Sequence, residues 1–450
     1  MGNPRFGTDG VRGVANADLT AELALALGRA AARVLPAQSF LVGRDTRRSG
    51  PMLQAALAAG LATEGADVVD LGVLPTPGVA YLSEQRGLPA AVVSASHNPF
   101  ADNGIKLFAP GGVKLAVEVE ASVEIELETL LVDPSTSPLR PTGHGVGRLL
   151  ADPGAAAEYA AHLESVLDGR RLDGLGVVLD CAHGAASEVA PGVFAALGAE
   201  VTTICDRPDG TNINDGCGST SPAQLAEAVT AGRADLGLAF DGDADRLVAV
   251  DHTGAVVDGD VLLALFAVDM AARGKLSGQK VVVTVMTNLG FRRAMARHGI
   301  DVKETPVGDR HVLAALDAEG LALGGEQSGH IVFRQRASTG DGILTALNLA
   351  DVVVRAGRPL AELSSGLVER VPQVLRNVPV SEPARLAAAD SVWQAVAQVE
   401  ERLGADGRVL LRASGTEPLV RVMVEAPSAE EAEEAASALQ VVVQESLGGG

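Results

Sequence analysis

The stretch ADLGLAFDGDADRLVAVD, residues 234–251, passes from one apolar run through a short acidic loop into a second apolar run. Its first run is apolar at almost every position, the pattern of a strand covered on both faces, as in sheets flanked by helices. Runs of the same kind recur at SFLVG (39–43), ADVVDLG (66–72), AAVVSAS (90–96), LGVVLD (175–180), AEVTTI (199–204) and KVVVTV (280–285). Ala-rich stretches with helical spacing separate them. LTAELALALGRAAARVL (19–35) is the clearest, opened by Thr20 with Glu22 in its first turn. Strands alternating with helices predict βαβ units, mostly parallel sheets and an α/β fold.

A chain of 450 residues exceeds the roughly 250 to 300 that one core supports, so several domains are expected. Seams at 133–147, around 252–254 and at 355–367 divide it into units 1–148, 149–251, 252–364 and 365–450, the first three of βαβ character. The last unit differs. Strand RVLLRA (408–413), a small-residue loop, strand LVRVMVEA (419–426) and an Ala/Glu helix (428–443) predict a smaller α+β domain.

Lys and Arg number 36 against 57 Asp and Glu, a net charge of −21 that repels nucleic acid and anionic membranes. The longest apolar run, VLLALFAV (261–268), stops at Asp269, far short of the roughly 18 residues of a membrane span. Cys181, Cys205 and Cys217 form no CxxC pair, and sparse, odd cysteines fit a reducing compartment better than a disulfide scaffold. The opening MGNPRFG has neither the pattern of a secretion signal nor that of myristoylation. A cytoplasmic protein without nucleic-acid or membrane partners is the expectation.

Within the opening stretch, Asp241, Asp243 and Asp245 alternate between the two strand runs, and hard oxygen ligands at this spacing suit Mg²⁺ or Ca²⁺. An EF-hand fails, because Arg246 stands where its glycine is required and His252 where its last acidic residue belongs. A haloacid-dehalogenase loop fails at Asp245, where it needs Thr or Val. A plain Asp/Gly turn competes, weakened because three carboxylates between buried strands repel one another without a cation. Arg246 admits two roles, a salt-bridge partner of the cluster or a contact to a phosphate beside the metal.

VVSASHNPFADNGIKLF (92–108) has a related design, an apolar strand that turns abruptly small and polar. Ser94 and Ser96 follow the strand's carboxyl end, where α/β sheets place their sites. Neither has the flanking glycines of a nucleophile elbow. His97, adjacent on an extended chain, points away from Ser96, so acyl chemistry by a Ser–His pair is not expected. Asn98-Pro99 and Asn103-Gly104 are turn formers that also fit an ordinary surface loop.

FGTDGVRG (6–13), SASHNP (94–99) with DNGIK (102–106), DGDADR (241–246), GEQSGH (325–330) and RASGTEPLVRVMVE (412–425) occur in the order seen in the α-D-phosphohexomutases. The chain resembles that family over essentially its whole length, and the motifs look most like those of its bacterial phosphoglucosamine mutase branch. TVMTNLG (284–290) and TPVGDR (305–310) are similar to that branch too. The resemblance implies four domains around a central active-site cleft. The first three share α/β cores of mixed or parallel sheet between helices, and the last is a smaller α+β domain. In chain order they carry the phosphoserine, metal-binding, sugar-binding and phosphate-binding loops.

Site residues follow from the same resemblance. Ser96, immediately before His-Asn-Pro, carries a phosphoryl group and leaves Ser94 structural. Asp241, Asp243 and Asp245 hold Mg²⁺ together with an oxygen of phosphorylated Ser96. Lys106 matches a general acid/base lysine and Arg12 an active-site arginine, with a solvated lysine and a plain salt bridge as alternatives. Glu326 and Ser328 match residues that grip sugar hydroxyls, and His330 lies near the chemistry or is a satisfied loop histidine. Arg412, Ser414, Gly415, Thr416 and Arg421 match the clamp for the phosphate remote from the reaction, against a hairpin with incidental arginines. Arg5 abuts Phe6, and His311 stands where an aromatic is usual, so neither receives a role. Arg44 and Arg47 of GRDTRRSG (43–50) are expected to brace the serine loop without chemistry.

The implied reaction is an isomerisation of glucosamine 6-phosphate to glucosamine 1-phosphate through a phosphoserine enzyme. A sugar 1,6-bisphosphate is its intermediate and activator. A phosphomannomutase or phosphoglucomutase of the same superfamily and a sugar-phosphate phosphatase are the rivals. A small-molecule sugar phosphate is the expected partner, a homodimer an allowed assembly, and amino-sugar precursors of peptidoglycan the implied destination.

Overall fold

The computed structural model describes residues 10–133, 140–414 and 418–448. Four sheets follow one another along the chain. The first has the order Val11–Val14, Asp102–Ala109, Ala90–Val93, Ser39–Arg44, Asp67–Val73, Leu149–Ala151, with Val113–Lys114 beside Asp102–Ala109. Leu149–Ala151 lies beyond the seam at 148, yet pairs in parallel with Asp67–Val73. The second sheet runs Val256–Val257, Leu247–Asp251, Leu236–Phe240, Gly176–Asp180, Glu200–Ile204. The third runs Asp301–Thr305, Lys280–Thr284, Leu323–Gly325, Ile331–Phe333. The fourth, wholly antiparallel, has Leu419–Glu425 between Gln373–Pro379 and Arg408–Ala413.

The first three sheets are mixed, within what the resemblance implies, whereas the apolar runs alone predict mostly parallel pairing; each departs from parallel at the same kind of place. Ala90–Val93 pairs antiparallel with Asp102–Ala109, Leu236–Phe240 with Leu247–Asp251, and Leu323–Gly325 with Ile331–Phe333. A short polar loop of turn-forming residues cannot carry the chain back to a parallel start, which needs a crossover of a dozen residues or more. It makes a hairpin instead. In the fourth sheet Arg408–Ala413 and Leu419–Glu425 repeat the arrangement.

Helices cover the sheets. Ala21–Val34 starts as its sequence predicts, with Thr20 Oγ1 accepting from the Leu23 N–H at 3.2 Å. It packs closely on Gly50–Thr63, because a Cβ on Gly28 or on Gly60 would lie 2.2 Å from a backbone oxygen of the other helix. One aliphatic core runs unbroken from Leu41 and Leu71 of the first sheet region, through Tyr159 and Phe194, to Phe266 and Phe333. The fourth domain has a separate core, from Val378 to Leu447. It joins the rest through buried polar contacts. Asn288 Nδ2 donates to Glu425 Oε1 and to Val371 O, both at 3.0 Å, and Arg408 reaches both Glu425 and Val285 O. Among the described residues no helix is long and apolar enough to cross a membrane.

Candidate active site

The hairpin loops of the first three sheets carry the serine, acidic and GEQSGH motifs in turn, and the described residues of RASGTEP, 412–414 and 418, belong to the hairpin of the fourth. Ser96 is buried and left-handed, with φ +52°. Its Oγ donates to Asp241 Oδ2 at 2.5 Å, and His97 Nδ1 lies 3.4 Å from the same Oγ. The expectation that Ser96 and His97 diverge is therefore corrected: the left-handed turn brings adjacent side chains to one side. Burial, reinforced by the positive charges of Arg246 and Arg12, pushes the His97 imidazole down to about 4, which makes it a weak base.

Backbone groups of the loop are held from behind. The Ser96 N–H donates to Ser94 Oγ at 2.9 Å, and Ser94 Oγ donates to Asp45 Oδ2 at 2.6 Å, which gives Ser94 a structural place. Arg47 is fully enclosed, pairs with Asp45 at 2.9 Å, and donates to the carbonyls of Ser96, Asn98, Pro99 and Asp102. Arg44 donates to its neighbour's carbonyl, Asp45 O, at 3.3 Å. Asn214, from the second domain, adds hydrogen bonds to Ser96 O and Asn98 O at 2.9 and 3.0 Å.

Asp241, Asp243 and Asp245 are buried, each offering a carboxylate oxygen within 4.8 Å of the others. Burial, reinforced by Asp245 and Asp243, holds the Asp241 carboxyl well above the usual carboxylate range. Burial also works against the charge of Asp243, but Lys106 and Thr76 outweigh it and hold that carboxyl low. Lys106 Nζ lies 2.7 Å from Asp243 Oδ2 and 3.6 Å from Asp245, and Thr76 Oγ1 donates to Asp243 Oδ2 at 2.7 Å. Lys106 stands on the strand Asp102–Ala109, opposite Val92, and not on the loop itself. Arg12 stands on the next strand, opposite Gly104, and its charge reaches His97 and Asp243. The Arg246 N–H donates to Asp241 Oδ1 at 3.2 Å, while its guanidinium lies 3.7 Å from Asp245.

The GEQSGH loop touches the acidic one, since the Leu247 N–H donates to Gly329 O at 3.1 Å. Glu326 Oε1 accepts from the Gly308 N–H at 3.1 Å, and the enclosed Ser328 Oγ has no protein hydrogen-bond partner. His330 is buried against Gly340, without a protein hydrogen bond at either nitrogen and with Nε2 3.8 Å from Asp309. Lys114 of the first domain holds that same Asp309 at 2.7 Å.

In the fourth sheet Arg412 is paired directly with Arg421. Burial and the Arg421 charge pull the Arg412 guanidinium down, with Glu326 opposing. Like charges facing each other across a strand pair are destabilising on their own and favour an anion between them. The Ser414 N–H donates to Leu419 O at 2.9 Å. Gly415 and Thr416 lie outside the described residues.

Thr76, Asp45 and Asn214 are contacts that sequence reasoning missed. Only Thr76 carried a local signal, a threonine after Pro75 at the carboxyl end of a strand.

Models of the phosphoglucomutase/phosphomannomutase family match the chain in order: alpha/beta/alpha domain I at residues 3–131, domain II at 157–254, domain III at 258–371 and the C-terminal domain at 375–440. A phosphoglucosamine mutase of Streptomyces avermitilis is 55% identical over 452 residues, covering 98% of this chain and 99% of its own. Among solved structures, a phosphoglucomutase/phosphomannomutase family protein from Burkholderia thailandensis superposes with a TM-score of 0.81 at 27% identity, covering 98% of this chain and 97% of its own. The N-acetylphosphoglucosamine mutase of Aspergillus fumigatus, solved with GlcNAc-6P and magnesium, shares the fold with a TM-score of 0.68 at 20% identity, over 99% of this chain and 96% of its own. Matched from end to end, the chain belongs to the phosphoglucomutase/phosphomannomutase family and, within it, to the phosphoglucosamine mutases.

Proposed function

We propose that this isomerase interconverts glucosamine 6-phosphate and glucosamine 1-phosphate by exchanging a phosphoryl group between Ser96 and the sugar. The observation that carries the reading is the Ser96 Oγ hydrogen bond to Asp241 at 2.5 Å, inside a buried carboxylate triad that Lys106 also enters. Glucosamine 6-phosphate rests its phosphate on Arg412, Ser414, Gly415, Thr416 and Arg421 and turns its C1 hydroxyl toward phosphorylated Ser96. The bond from the sugar oxygen to phosphorus forms as the bond from Ser96 Oγ breaks. Lys106, charged against Asp243, gives a proton to the departing serine oxygen and takes the hydroxyl proton in its place. The bound 1,6-bisphosphate then turns over, Ser96 takes back the 6-phosphoryl group, and glucosamine 1-phosphate leaves.

Arg12 and Arg246 face the transferring group with positive charge, and Glu326 and Ser328 orient the sugar hydroxyls, with His330 behind them. Asp241, Asp243 and Asp245, with an oxygen of phosphorylated Ser96, would hold Mg²⁺. The all-oxygen donor set fits a hard cation, and Asp243 Oδ1 and Asp245 Oδ1 are buried without a protein hydrogen-bond donor. When bound, the ion supplies positive charge against the phosphoryl oxygens. The work divides among units 1–148, 149–251, 252–364 and 365–450, adjusted so that Leu149–Ala151 goes with the first and Val256–Val257 with the second, as their sheet pairings suggest. Three unpaired thiols, Cys181, Cys205 and Cys217, fit a cytoplasmic place of action.

Mass spectrometry of the purified protein is expected to find phosphate on Ser96, and Ser96→Ala to lose more than about 10⁴-fold in kcat. Near-normal turnover by Ser96→Ala would overturn the reading. Values of kcat/KM are expected to favour glucosamine phosphates over glucose and mannose phosphates. The reverse order would assign the chain to the other mutases, and free phosphate in excess of isomer would make it a phosphatase.

A further inference from the structure

Outside the cleft, one cluster holds chemistry that phosphoryl transfer does not use. His183, Cys205 and Cys217 converge beyond the carboxyl ends of the parallel strands Gly176–Asp180 and Glu200–Ile204, each with a ligand atom within 4.8 Å of the other two. Backbone hydrogen bonds fix the loops that present them. The His183 N–H donates to Cys205 O at 2.5 Å, the Cys181 N–H to Ile204 O at 3.2 Å, and the Asn214 N–H to Ala182 O at 2.9 Å. Asp180 ties the remaining pair together, accepting from the Ala182 N–H at 2.9 Å and the Gly218 N–H at 2.7 Å, next to His183 and Cys217 respectively. His183 Nδ1 accepts from the Arg207 N–H at 3.2 Å, so its lone pair faces the loop that begins at Cys205, and ligation through this nitrogen exchanges that hydrogen bond for the cation.

Ala182, His183, Cys205 and Asn214 are all left-handed, with φ between +48° and +58°. Non-glycine residues hold that conformation where their surroundings over-determine it, and ligand clamps are one such place. None of the cysteines is in a disulfide; Cys217 is buried, while Cys205 and His183 are partly exposed and leave a side for entry. Two thiols and an imidazole at this spacing are the donor set of a thiophilic cation with tetrahedral preference, whereas the aspartate triad offers only oxygen.

We propose that His183, Cys205 and Cys217 form a second metal site, for a divalent cation of the zinc class, with Asp180 ordering its loops from behind. The site would brace the phosphoserine loop from outside the cleft. Thr46 Oγ1 donates to His183 O at 2.6 Å, and Asn214, three residues before Cys217, holds Ser96 O and Asn98 O.

The test is a titration of the full-length, reduced, chelator-treated protein with Co²⁺ alone. A thiolate-to-cobalt absorption band is expected, saturating at a single equivalent, displaced by Zn²⁺, and absent from Cys205→Ser and Cys217→Ser, which keep their circular dichroism. Cobalt on the aspartate triad has oxygen ligands and gives no sulfur band, so failure of the phosphoryl-transfer reading would leave this result untouched. No sulfur band, or one that persists in either serine variant, would overturn the proposal. Should a variant fail to fold, the wild-type protein supplies a second measurement. Zn²⁺ is expected to slow alkylation of Cys205 by iodoacetamide, and an unchanged rate would equally overturn it.

Discussion

Around Ser96 the supporting groups are buried and held by one another: Lys106 pairs with Asp243, Ser96 Oγ donates to Asp241, and Arg47 is enclosed by Asp45 and four loop carbonyls. At the other end of the proposed substrate, Arg412 and Arg421 stand side by side, partly exposed, on a domain with its own core. The contrast follows from what each end has to do. Transfer demands a nucleophile held to a fraction of an ångström, which mutual satisfaction of fixed charges achieves. On the proposed function the far end takes a phosphate in two sugar orientations and releases it, a task that two guanidinium groups side by side on one strand pair suit.

The strongest way to break this contrast is at Lys106. Lys106→Ala is expected to lower kcat by about 10²–10⁴-fold with KM little changed; an effect confined to KM in steady-state assays would move Lys106 from the chemistry to binding. Next is the brace. Arg47→Met leaves the buried Asp45 carboxylate and several carbonyls without a donor, and is expected to destabilise the protein by about 3–5 kcal/mol in denaturant unfolding. A change below about 1 kcal/mol would mean that the serine loop holds its shape without Arg47.

At the far end the effect should be smaller and of another kind. Arg412→Ala or Arg421→Ala removes one charge-assisted contact and is expected to raise KM for the sugar phosphate by about 10–100-fold, more at low salt, with stability unchanged or improved. A matching fall in kcat alone would erase the distinction between the two ends. The weakest handle lies where the third and fourth domains join. Burial pushes the Asp260 carboxyl up to about 7, from an ordinary 3.8, although the Asn288 N–H opposes the rise. The folded state therefore binds this proton more tightly than the unfolded chain. Its contribution to stability is complete below about pH 4 and lost as pH rises through about 7. Asp260→Asn is expected to remove that slope in unfolding curves across the window. A difference between wild type and variant that does not change with pH would rule the mechanism out.

The serine, acidic and C-terminal loops were legible because each interrupts two apolar runs with small, polar or charged residues, GEQSGH only through its resemblance, and Asp241, Asp243 and Asp245 explained themselves by mutual repulsion. Their supports were not legible. Thr76 meets Asp243 from 167 positions away and Asn214 meets the Ser96 carbonyl from 118, and no local pattern encodes such encounters. The apolar runs missed the direction of particular strands for a different reason. Leu323–Gly325 and Ile331–Phe333 are three residues each, too short for an apolar run to announce a strand direction. Gln373–Pro379 mixes polar and apolar side chains without a regular period at a sheet edge and lacks the buried signature of the other strands.

The family models divide the chain after residues 131, 254 and 371, but the aliphatic core respects only the last division. A fragment cut out as 157–254 would bare the faces of Tyr159 and Phe194 that pack into the common core. Single α/β units of this enzyme are thus poor candidates for transplantation between relatives. The C-terminal domain, enclosed around Val378, Val422 and Leu439, has a core of its own, so substitutions inside it can shift the Arg412 and Arg421 pair without repacking the core that the first three domains share.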